Sequence, residues 1–515
     1  MNQTLMLQPS DPLEGFSDFC ELSNQPNRIQ ETKQDLCPPQ TAYINALPVE
    51  LLLAIIEPLC LEWQAATYAR PTRFGEDLLL APLSPFSLAS VCEWWMRVLL
   101  RVPSLWTRLV IQVDSNPSAS LIPIRFFIAA SRKLPLSVVI TRKRGTFSHS
   151  DPHEARRVTS VMKLIRPNIQ RCRALHIYVI QRSSLPKLGC DRLVRATQLE
   201  ELTLFCARGR EPDSSVCSIP LPRRKFRSPQ LNFLHISVRD FLETRLRCSN
   251  WFHGVTKLSL ANHRLRPDDF DIEGTLTLYH ILENIRPCAS NLTSLTLTHI
   301  ECMLGLLEPR LSFPSLKEVA FKNIASDVVN HFFRVVEGDI TSVTLSRCPV
   351  ELALANIANS QSPVRCLVME HFEDDRECDP VNFLEQWTGE TLFFRNCPFL
   401  SDDLLDYMYN PVDTPTGRSF ICPNLQRLGI MRCTDFSLDA LKLFILTRRE
   451  AVIAWYGDAK TEAQYTGDVD LPTSIRKLEY MGDGAPPLSK EDVKWFKEHV
   501  AEFGWGTEPV DIADF

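Results

Sequence analysis

The first strong apolar pattern begins at Ile44, after about forty residues that are polar and rich in Pro, Gln and Asn. In the stretch INALPVELLLAIIEPLCLEW, large aliphatic residues recur at every fourth position. They form one stripe, which consists of Leu47, Leu51, Ile55 and Leu59 and is flanked by Leu52 and Ile56. This spacing predicts an amphipathic helix whose first turn holds Pro48, where a missing N–H costs nothing. Pro58 is expected to end or kink that helix near its last turn.

A polar stretch at about 64–82 follows and is predicted to be a loop insertion. Apolar periodicity resumes in FSLASVCEWWMRVLLRVPSLWTRLVI, with a 3, 4, 3 spacing over Leu88, Val91, Trp95 and Val98. The spacing predicts a second helix, and Pro103 opens a third short turn that ends in Trp106. Three short helices cannot build a large core. Their exposed stripe should therefore need a partner, because burying each aliphatic side chain contributes about 1.5–3 kcal/mol.

Beyond Trp106 the chain repeats the pattern L-x-x-L-x-L, with other apolar residues allowed. Full matches begin at residues 199, 231, 255, 292, 316, 340, 364, 425 and 475, and partial matches at 172 and 389. The middle anchors keep a step of 24 residues from Leu234 to Leu258 and again from Leu295 to Leu367, by way of Val319 and Val343. A fixed period of about 20–29 residues with this pattern is the signature of leucine-rich repeats.

The intervals between anchors contain helix-like runs, at 326–338, 350–360, 400–410 and 437–446. Each unit is therefore predicted to be a short strand, a turn and a helix, and stacked units bury one continuous core. Longer gaps after Leu258, Leu392 and Leu428 are predicted to hold insertions or a degenerate repeat. The predicted fold is an α/β repeat solenoid, a leucine-rich repeat horseshoe of short parallel strands plus helices, preceded by a small all-α domain.

The predicted domain boundaries follow these patterns. They are a disordered tail at 1–41, a helical domain at 42–110, the solenoid at 111–485, and a capping helix with a tail at 486–515. In the last of these, Ser489 is the expected helix cap, with Val493, Phe496 and Val500 along one stripe.

Composition narrows the functional classes. The net charge of −6 does not call for a broad nucleic-acid surface, and we expect no nucleic-acid partner. No apolar run reaches the roughly 18–20 residues that cross a bilayer, and the first thirty or so residues lack the order of a signal peptide. We therefore expect no membrane association, a cytoplasmic or nuclear location, and reduced thiols.

The sequence lacks the usual catalytic and metal-binding motifs. The 17 cysteines form no C-x-x-C pair and no zinc-ligand spacing with His, so we expect buried thiols and no metal site. Phosphate-binding glycine loops, a G-x-S-x-G elbow and an H-E-x-x-H helix are all missing from the sequence. We expect no catalytic residue and no cofactor, and hence a protein that is not an enzyme.

The front of the chain resembles the F-box, the motif of ubiquitin-ligase substrate receptors. The resemblance covers about 44–106, and the insertion at 64–82 departs from the motif. The residues on motif positions are Leu47, Pro48, Glu50, Leu51, Ile55, Leu88, Val91, Cys92, Trp95, Pro103, Leu105 and Trp106. It is similar in particular to the F-box proteins expanded in mushroom-forming fungi, where P-x-L-W also closes the motif. Cys348, Cys397 and Cys433, each five residues after a middle anchor, resemble the cysteine-containing class of leucine-rich repeats that accompanies F-boxes.

The resemblance implies a substrate-recognition subunit of a Skp-cullin-F-box ubiquitin ligase. The helices would bind a Skp-type adaptor and, through it, a cullin, while the repeats hold a client protein. The expected adaptor contacts are Leu47, Pro48, Glu50, Leu51, Leu52, Ile55, Leu59, Leu88, Val91 and Trp95. The alternative is a repeat scaffold with no ubiquitin-ligase role, in which the helices serve only as a cap.

Alternate residues of each strand point to opposite faces, so the residues between the anchors should line the concave surface. Early repeats place Ser and Thr there, whereas later repeats place Phe393, Arg395, Arg427 and Met431, which we take as a candidate client surface. Phe393 alternatively belongs to the core through a register slip, because its repeat lacks the first leucine. The basic run at 223–227 is either a nuclear-import signal or a solvated loop.

Overall fold

The structure is a computed structural model. It describes residues 47–69, 84–113, 121–142, 151–186, 196–208, 228–247, 252–263, 276–305, 308–348, 364–372, 381, 384–385, 387–414, 417–457, 473–481 and 486–507. The chain divides into two compact units, Met1–Leu231 and Asn232–Phe515, each with an α/β architecture. The predicted tail at 1–41, the helix-like run at 350–360 and the basic run at 223–227 lie outside the described residues.

The first unit begins with one longer helix and three short helical pieces. They are α1 (Val49–Ala69), α2 (Pro85–Ala89), α3 (Glu93–Leu99) and a 3-10 helix (Pro103–Trp106). Ser84 caps α2 by accepting a hydrogen bond from the backbone N–H of Ser87, at 3.2 Å.

Two expectations for this region are wrong. Helix α1 continues through Pro58 to Ala69, so the first six residues of the expected 64–82 loop are helical. Pro58 lies on the exposed side of the helix, where water can reach the carbonyl that its missing N–H leaves unpaired. The helix predicted over Leu88 to Val98 is two helices, because the chain breaks at Ser90–Cys92.

A parallel sheet of four strands follows in the same unit. The strands are β1 (Arg108–Gln112), β2 (Leu136–Thr141), β3 (Cys172–Gln181) and β4 (Glu201–Arg208), paired in chain order. Helices α4 (Ile122–Ala130) and α5 (Glu154–Ile165) connect them. The first strand begins at Arg108, close to the predicted end of the helical domain at residue 110.

A buried carboxylate joins the ends of these strands. Glu154 is fully buried and accepts hydrogen bonds from the backbone N–H groups of Ile180 and Gln181, both at 2.9 Å. The hydroxyl of Ser184 donates at 2.8 Å, and Arg142 completes the set with an ion pair at 3.2 Å. Every oxygen of the carboxylate is thus satisfied, as burial of a charge requires.

The second unit holds a parallel sheet of ten strands, again paired in chain order. The strands are β5 (Phe233–Ser237), β6 (Lys257–His263), β7 (Ser294–Ile300), β8 (Glu318–Lys322), β9 (Ser342–Ser346), β10 (Cys366–Glu370), β11 (Thr391–Arg395), β12 (Arg427–Met431), β13 (Lys477–Met481) and β14 (Glu502–Thr507). The predicted anchors are in register: Leu258 lies opposite Leu295, and Val319 opposite Val343. The repeating α/β architecture expected from the 24-residue step is confirmed at this level.

Helices separate the strands of the second unit. They are α6 (Val238–Arg247), α7 (Leu278–Ile285), α8 (Ser326–Val335), α9 (Asp402–Tyr409), α10 (Leu438–Gly457) and α11 (Lys490–His499). The long gaps contain α7, then α9 with a hairpin of Pro411–Thr414 and Gly417–Phe420, and then α10. A two-stranded pair of Leu311–Ser312 and Val336–Glu337 lies beside α8.

The end of the sheet differs from the prediction. Ser489 caps α11 as expected, accepting from the N–H of Asp492 at 3.0 Å. However, β14 follows that helix and pairs with β13, so residues 486–515 are not only a capping helix and a tail. The rings of Phe496 and Phe503 stack with centroids 4.9 Å apart, which joins helix and strand.

A buried arginine holds the loops between α9, α10 and β12. Arg448 of α10 is fully buried and donates to five backbone carbonyls, at distances from 2.8 to 3.4 Å. The acceptors are the carbonyls of Met408, Ile421, Cys422, Pro423 and Thr473. Burial lowers the pKa of Arg448 to about 10. Among the helices that the structure describes, none is long and apolar enough to cross a bilayer.

Candidate interaction surfaces

Helix α1 carries apolar side chains on two opposite faces. Leu52, Ile56 and Cys60 are buried, with 0%, 1% and 0% of their surface exposed. Leu51 and Ile55, one residue earlier in each turn, are 53% and 49% exposed. A helix that is apolar on all sides normally has neighbours on all sides. Within the described residues, α1 has them on one side only.

The exposed side is broad. At 100° per residue, Leu51, Ala54, Ile55, Pro58 and Leu61 fall within about 120° of each other around the helix axis. All five are exposed, Leu61 at 57%. We name this set the exposed α1 face. Contiguous exposed apolar surface of this kind marks interaction sites in soluble proteins.

The buried side packs on the rest of the helical region. Helix α1 contacts α3 and the 3-10 helix, where Trp106 is fully buried. The indole N–H of Trp106 donates to the carbonyl of Leu99 at 3.0 Å. Its ring meets the rings of Phe126 and Phe127 edge-on, each with centroids 5.1 Å apart. These contacts fix the helical region on α4, and leave the exposed α1 face uncovered in the described chain.

A second exposed apolar pair lies at the break between α2 and α3. Val91 is 61% exposed and Trp94, in the first turn of α3, is 36% exposed. The break at Ser90–Cys92 turns the chain, so that the side chains that follow it divide between the surface and the core. Trp95 and Val98 take the core positions, at 9% and 1% exposure.

Half of the ten predicted adaptor contacts lie at the surface. Pro48, Glu50, Leu51, Ile55 and Val91 are exposed. Three others, Leu47, Leu59 and Leu88, are half-buried.

Two of these predictions are corrected. Leu52 faces the interior of the helical region and is 0% exposed, and Trp95 packs in the core at 9% exposure, so neither side chain is presented at the surface. Sequence reasoning missed Leu61 and Trp94. Leu61 was missed because Pro58 was expected to end the helix, and Trp94 because the unbroken helical spacing favoured its neighbour.

The candidate client residues lie on the sheet face opposite the anchors. Phe393 pairs with Val368 on one side and Gly429 on the other, so no register slip occurs. Phe393 is nevertheless buried, at 1% exposure. Its ring lies over Gly429, where an added Cβ would be only 2.2 Å from Cδ2 of the ring. Phe393 therefore lies on the face predicted for client contacts but is not exposed there. It is buried, as the second alternative predicted, but without the register slip which that alternative assumed.

A small apolar cluster surrounds this ring. Val368, Phe393 and Met481 are buried together, and the half-buried Cys366 and Met431 pack against them. Of the predicted client residues, Met431 therefore borders the cluster and Phe393 forms its centre. This cluster stabilises the packing of β10–β13 on a face that repeats usually leave to solvent or a partner.

The two predicted arginines differ. Arg395 forms an ion pair with Glu370 at 2.6 Å and lies over the ring of Phe393, with its guanidinium carbon 5.7 Å from the centroid. It is therefore occupied within its own sheet. Arg427, at the start of β12, is exposed. The structure does not bring the four predicted client residues together as one open surface.

A row of left-handed residues, which the sequence reading missed, lines the carboxyl ends of the strands. It occurs four residues after the middle anchor in seven strands, with φ between 48° and 57°, at Asn262, His299, Asn323, Arg347, His371, Asn396 and Arg432. In the middle of the row, each N–H donates to the next strand, as Asn323 does to the carbonyl of Ser346 at 2.7 Å. Asn tolerates this conformation better than most residues. The recurrence of Asn at three of these positions is therefore the sequence signal that could have indicated the turn.

This turn explains the cysteines. The left-handed residue reverses the chain direction, so the following side chain enters the core, and Cys348, Cys397 and Cys433 are buried there. The thiol of Cys397 donates to the carbonyl of Met369 at 3.2 Å. Burial raises the pKa of the Cys348 thiol and of the Cys397 thiol, the latter with a further contribution from Cys433. The thiols of Cys348 and Cys397 therefore fill small core sites and are poor nucleophiles.

Within the described part of the chain, no group of three His, Cys, Asp or Glu side chains is placed to hold a metal ion. No family model matches the chain, and no curated protein is significantly similar to it.

Proposed function

We propose that this protein is a substrate-recognition subunit of a Skp-cullin-F-box ubiquitin ligase. The helical region binds a Skp-type adaptor, and the strand–helix repeats behind it hold a client protein. The chain itself is not an enzyme, since ubiquitin transfer is carried out by other subunits. It acts in the cytoplasm or the nucleus, where such complexes work.

The observation that carries the proposal is the exposed α1 face. Leu51, Ile55 and Leu61 expose about half of their surface on a helix whose opposite side buries Leu52, Ile56 and Cys60. Leaving the exposed half of each of these aliphatic side chains in water costs about 1 kcal/mol relative to full burial. A partner that covers them recovers this free energy. The face lies in the segment whose residues resemble the F-box.

The mechanism that follows is proximity. A client held by the repeats and an adaptor held by the helices are tied to one chain, so client lysines stay at high effective concentration near the charged ubiquitin carrier. No chemical step then requires a residue of this protein. Rigid attachment helps, and the edge-on packing of Trp106 on Phe126 and Phe127 supplies it at the end of the helical region.

One observation favours the alternative, a repeat scaffold without a ubiquitin-ligase role. Leu52, Ile56 and Cys60 are buried, so α1 also covers the apolar side of its neighbouring helices as a cap would. A cap needs only this buried side. The exposed α1 face would then have no purpose, and its substitution would have no effect on any partner.

Binding of the purified chain to a purified Skp-type adaptor tests the proposal. Leu51→Asp should weaken adaptor binding about tenfold or more, because covering the exposed half of a leucine contributes about 1 kcal/mol and a carboxylate in its place would be costly to desolvate. Thermal stability should hardly change, because Leu51 is 53% exposed. Leu443→Asp is the matched control, since Leu443 is 46% exposed on α10 of the second unit. Binding titrations and melting curves are measured on the same samples.

Leu52→Asp provides the opposite control. Leu52 is fully buried, so its substitution should lower the melting temperature strongly. If the wild-type chain does not bind the adaptor, or if Leu51→Asp and Leu443→Asp weaken binding equally, the ubiquitin-ligase role is refuted and the scaffold remains.

A further inference from the structure

The carboxyl ends of the strands in the second unit carry exposed cations. Lys322 ends β8, and Arg347 follows β9 in the left-handed row; both side chains are exposed. Arg432 holds the same left-handed position after β12 and is half-buried. We name these three residues the basic edge. In the described part of the chain, none of them forms an ion pair.

Other side chains at these strand ends are already engaged. The amide Nδ2 of Asn323 lies 2.6 Å from Nδ1 of His299, and that of Asn396 lies 3.0 Å from Nδ1 of His371. Glu370 is buried and paired with Arg395. The chain therefore satisfies its hydrogen-bonding groups along the row while leaving three cations without a carboxylate.

Arginine is an unusual residue for the left-handed conformation. An L-residue with a Cβ pays about 1 kcal/mol or more there, and Asn or Gly pays less. Arg347 and Arg432 take positions that Asn262, Asn323 and Asn396 fill elsewhere in the same row. The turn alone does not explain a guanidinium at two of seven positions.

The neighbouring sheet face is polar. On β7 and β9 the side chains opposite the anchors are all hydroxyl-bearing, at Ser294, Thr296, Thr298, Ser342, Thr344 and Ser346. On β8 the central position is Ala320, between Glu318 and Lys322. A surface of hydroxyl groups beside a row of cations is complementary to a polar, negatively charged chain, and not to an apolar one.

We propose that the basic edge holds an acidic, extended segment of the client protein. Neighbouring strands are about 4.8 Å apart, so the edge spans about 19 Å from β8 to β12. An extended chain advances about 3.3 Å per residue, and about six residues cover that distance. Cations spread over four strand steps fit several carboxylates in a row, whereas a single phosphate would need them to converge on one point.

This assignment rests on the proposed function for the identity of the partner as a client, but the binding itself is measured without adaptor. A fluorescent peptide with Asp and Glu alternating with Ser is titrated with the full chain. Its counterpart has Asn and Gln in place of the acids. The acidic peptide should bind at least about tenfold tighter than the neutral one, and its affinity should fall as salt rises, because charges at this exposed edge are screened.

The variant Lys322→Gln/Arg347→Gln should weaken binding of the acidic peptide about tenfold. Arg334→Gln is the matched control, because Arg334 is an exposed cation on α8, the helix that follows Lys322 in the chain. Equal weakening by both variants, or equal binding of acidic and neutral peptides, overturns the proposal. So does tighter binding of a single-phosphoserine peptide or of an oligothymidylate than of the acidic peptide.

The chain contains an acidic run of its own, Glu373–Asp375, outside the described residues. The peptide titration is therefore repeated with Glu373→Gln/Asp374→Asn/Asp375→Asn. Binding as tight as in the wild-type chain, or tighter, supports the basic edge, and loss of binding overturns it. Adaptor binding is measured in parallel on every variant. If the basic edge does not bind the acidic peptide but the chain still binds the adaptor, only the basic edge is refuted. If the chain binds the acidic peptide but not the adaptor, only the ubiquitin-ligase role is refuted.

Discussion

Phe393 shows how one glycine on a neighbouring strand changes the role of a side chain. Its position in the strand faces away from the anchors, as the alternation of the sequence predicts. Because Gly429 has no side chain, the ring folds flat over the next strand and becomes buried. The face of a residue could thus be predicted from period-two alternation. Its burial depends on a residue 36 positions later, which local patterns do not connect.

A double-mutant cycle measures this dependence. Phe393→Ala should destabilise the chain by about 3 kcal/mol, as loss of a buried ring usually does. Gly429→Ala alone should cost about 1–3 kcal/mol, because its Cβ would overlap the ring. In the Phe393→Ala background, Gly429→Ala should cost almost nothing. Urea unfolding of the four proteins gives the coupling free energy, and additive effects would contradict the packing described.

Arg448 is the second residue whose role depends on distant neighbours. It has no carboxylate partner among the described residues and instead donates to five carbonyls from three segments. Arg448→Met should lower the free energy of unfolding by about 3 kcal/mol or more, since each buried carbonyl left without a donor costs about 1–3 kcal/mol. Arg449→Met, on a partly exposed neighbour, should change it by less than about 1 kcal/mol. Similar urea midpoints for the two variants would argue against this role.

At the scale of elements, the sequence predicted the repeating units better than their limits. The 24-residue step located β5 and β6 and again β7 to β10, and the predicted cap Ser489 marks a real helix start. The predicted ends of two elements were wrong. Pro58 is tolerated inside α1 because it lies on the water-facing side, and β14 follows a helix that looked terminal.

A charged hydrogen bond at the start of α11 connects this helix to α10. Asp492 accepts hydrogen bonds from Lys442 of α10 and from the N–H of Ser489, the latter at 2.9 Å. The hydrogen bond from Lys442 is the main reason that the pKa of Asp492 falls to about 2, from an ordinary 3.8. Since the folded-state pKa is the lower one, the stabilisation is complete above about 3.8 and is lost as the pH falls towards about 2.

Asp492→Asn should therefore melt at a lower temperature than the wild-type chain at neutral pH. The difference should close as the pH falls from about 4 to about 2. Asp439→Asn, at an exposed position in the first turn of α10, is the control and should show no comparable closing of the gap. Melting curves by circular dichroism at several pH values provide the measurement. A pH-independent difference for Asp492→Asn would contradict the ion pair with Lys442.

At the scale of the molecule, each strand of the second unit contacts mainly its neighbours in the chain. Stability in such arrays is a sum of local terms and nearest-neighbour interfaces, so damage at one end should stay local. The open end of the sheet is closed by Trp505, whose ring is 4.8 Å from that of Tyr480 and whose N–H donates to the carbonyl of Pro486 at 2.9 Å.

Trp505→Ala should accelerate amide exchange in β13 by about tenfold or more, because even a half-buried aromatic side chain contributes more than about 1.4 kcal/mol to packing. Exchange in β6 and β7 should be unchanged. Hydrogen–deuterium exchange followed by mass spectrometry resolves the two regions. Uniform acceleration across the sheet would show that the second unit opens as one block.

The exposed α1 face has a consequence for how much of this protein a cell can hold. Leu51, Ile55 and Leu61 remain wetted whenever no second polypeptide covers them. Copies of the chain whose α1 face is uncovered are expected to associate through these side chains, or to be bound by chaperones that recognise exposed apolar helices. Under the proposed function, the supply of adaptor therefore limits how much of the chain stays in solution. Overproduction of the chain alone should give aggregates, whereas co-production with the adaptor should give a stoichiometric complex.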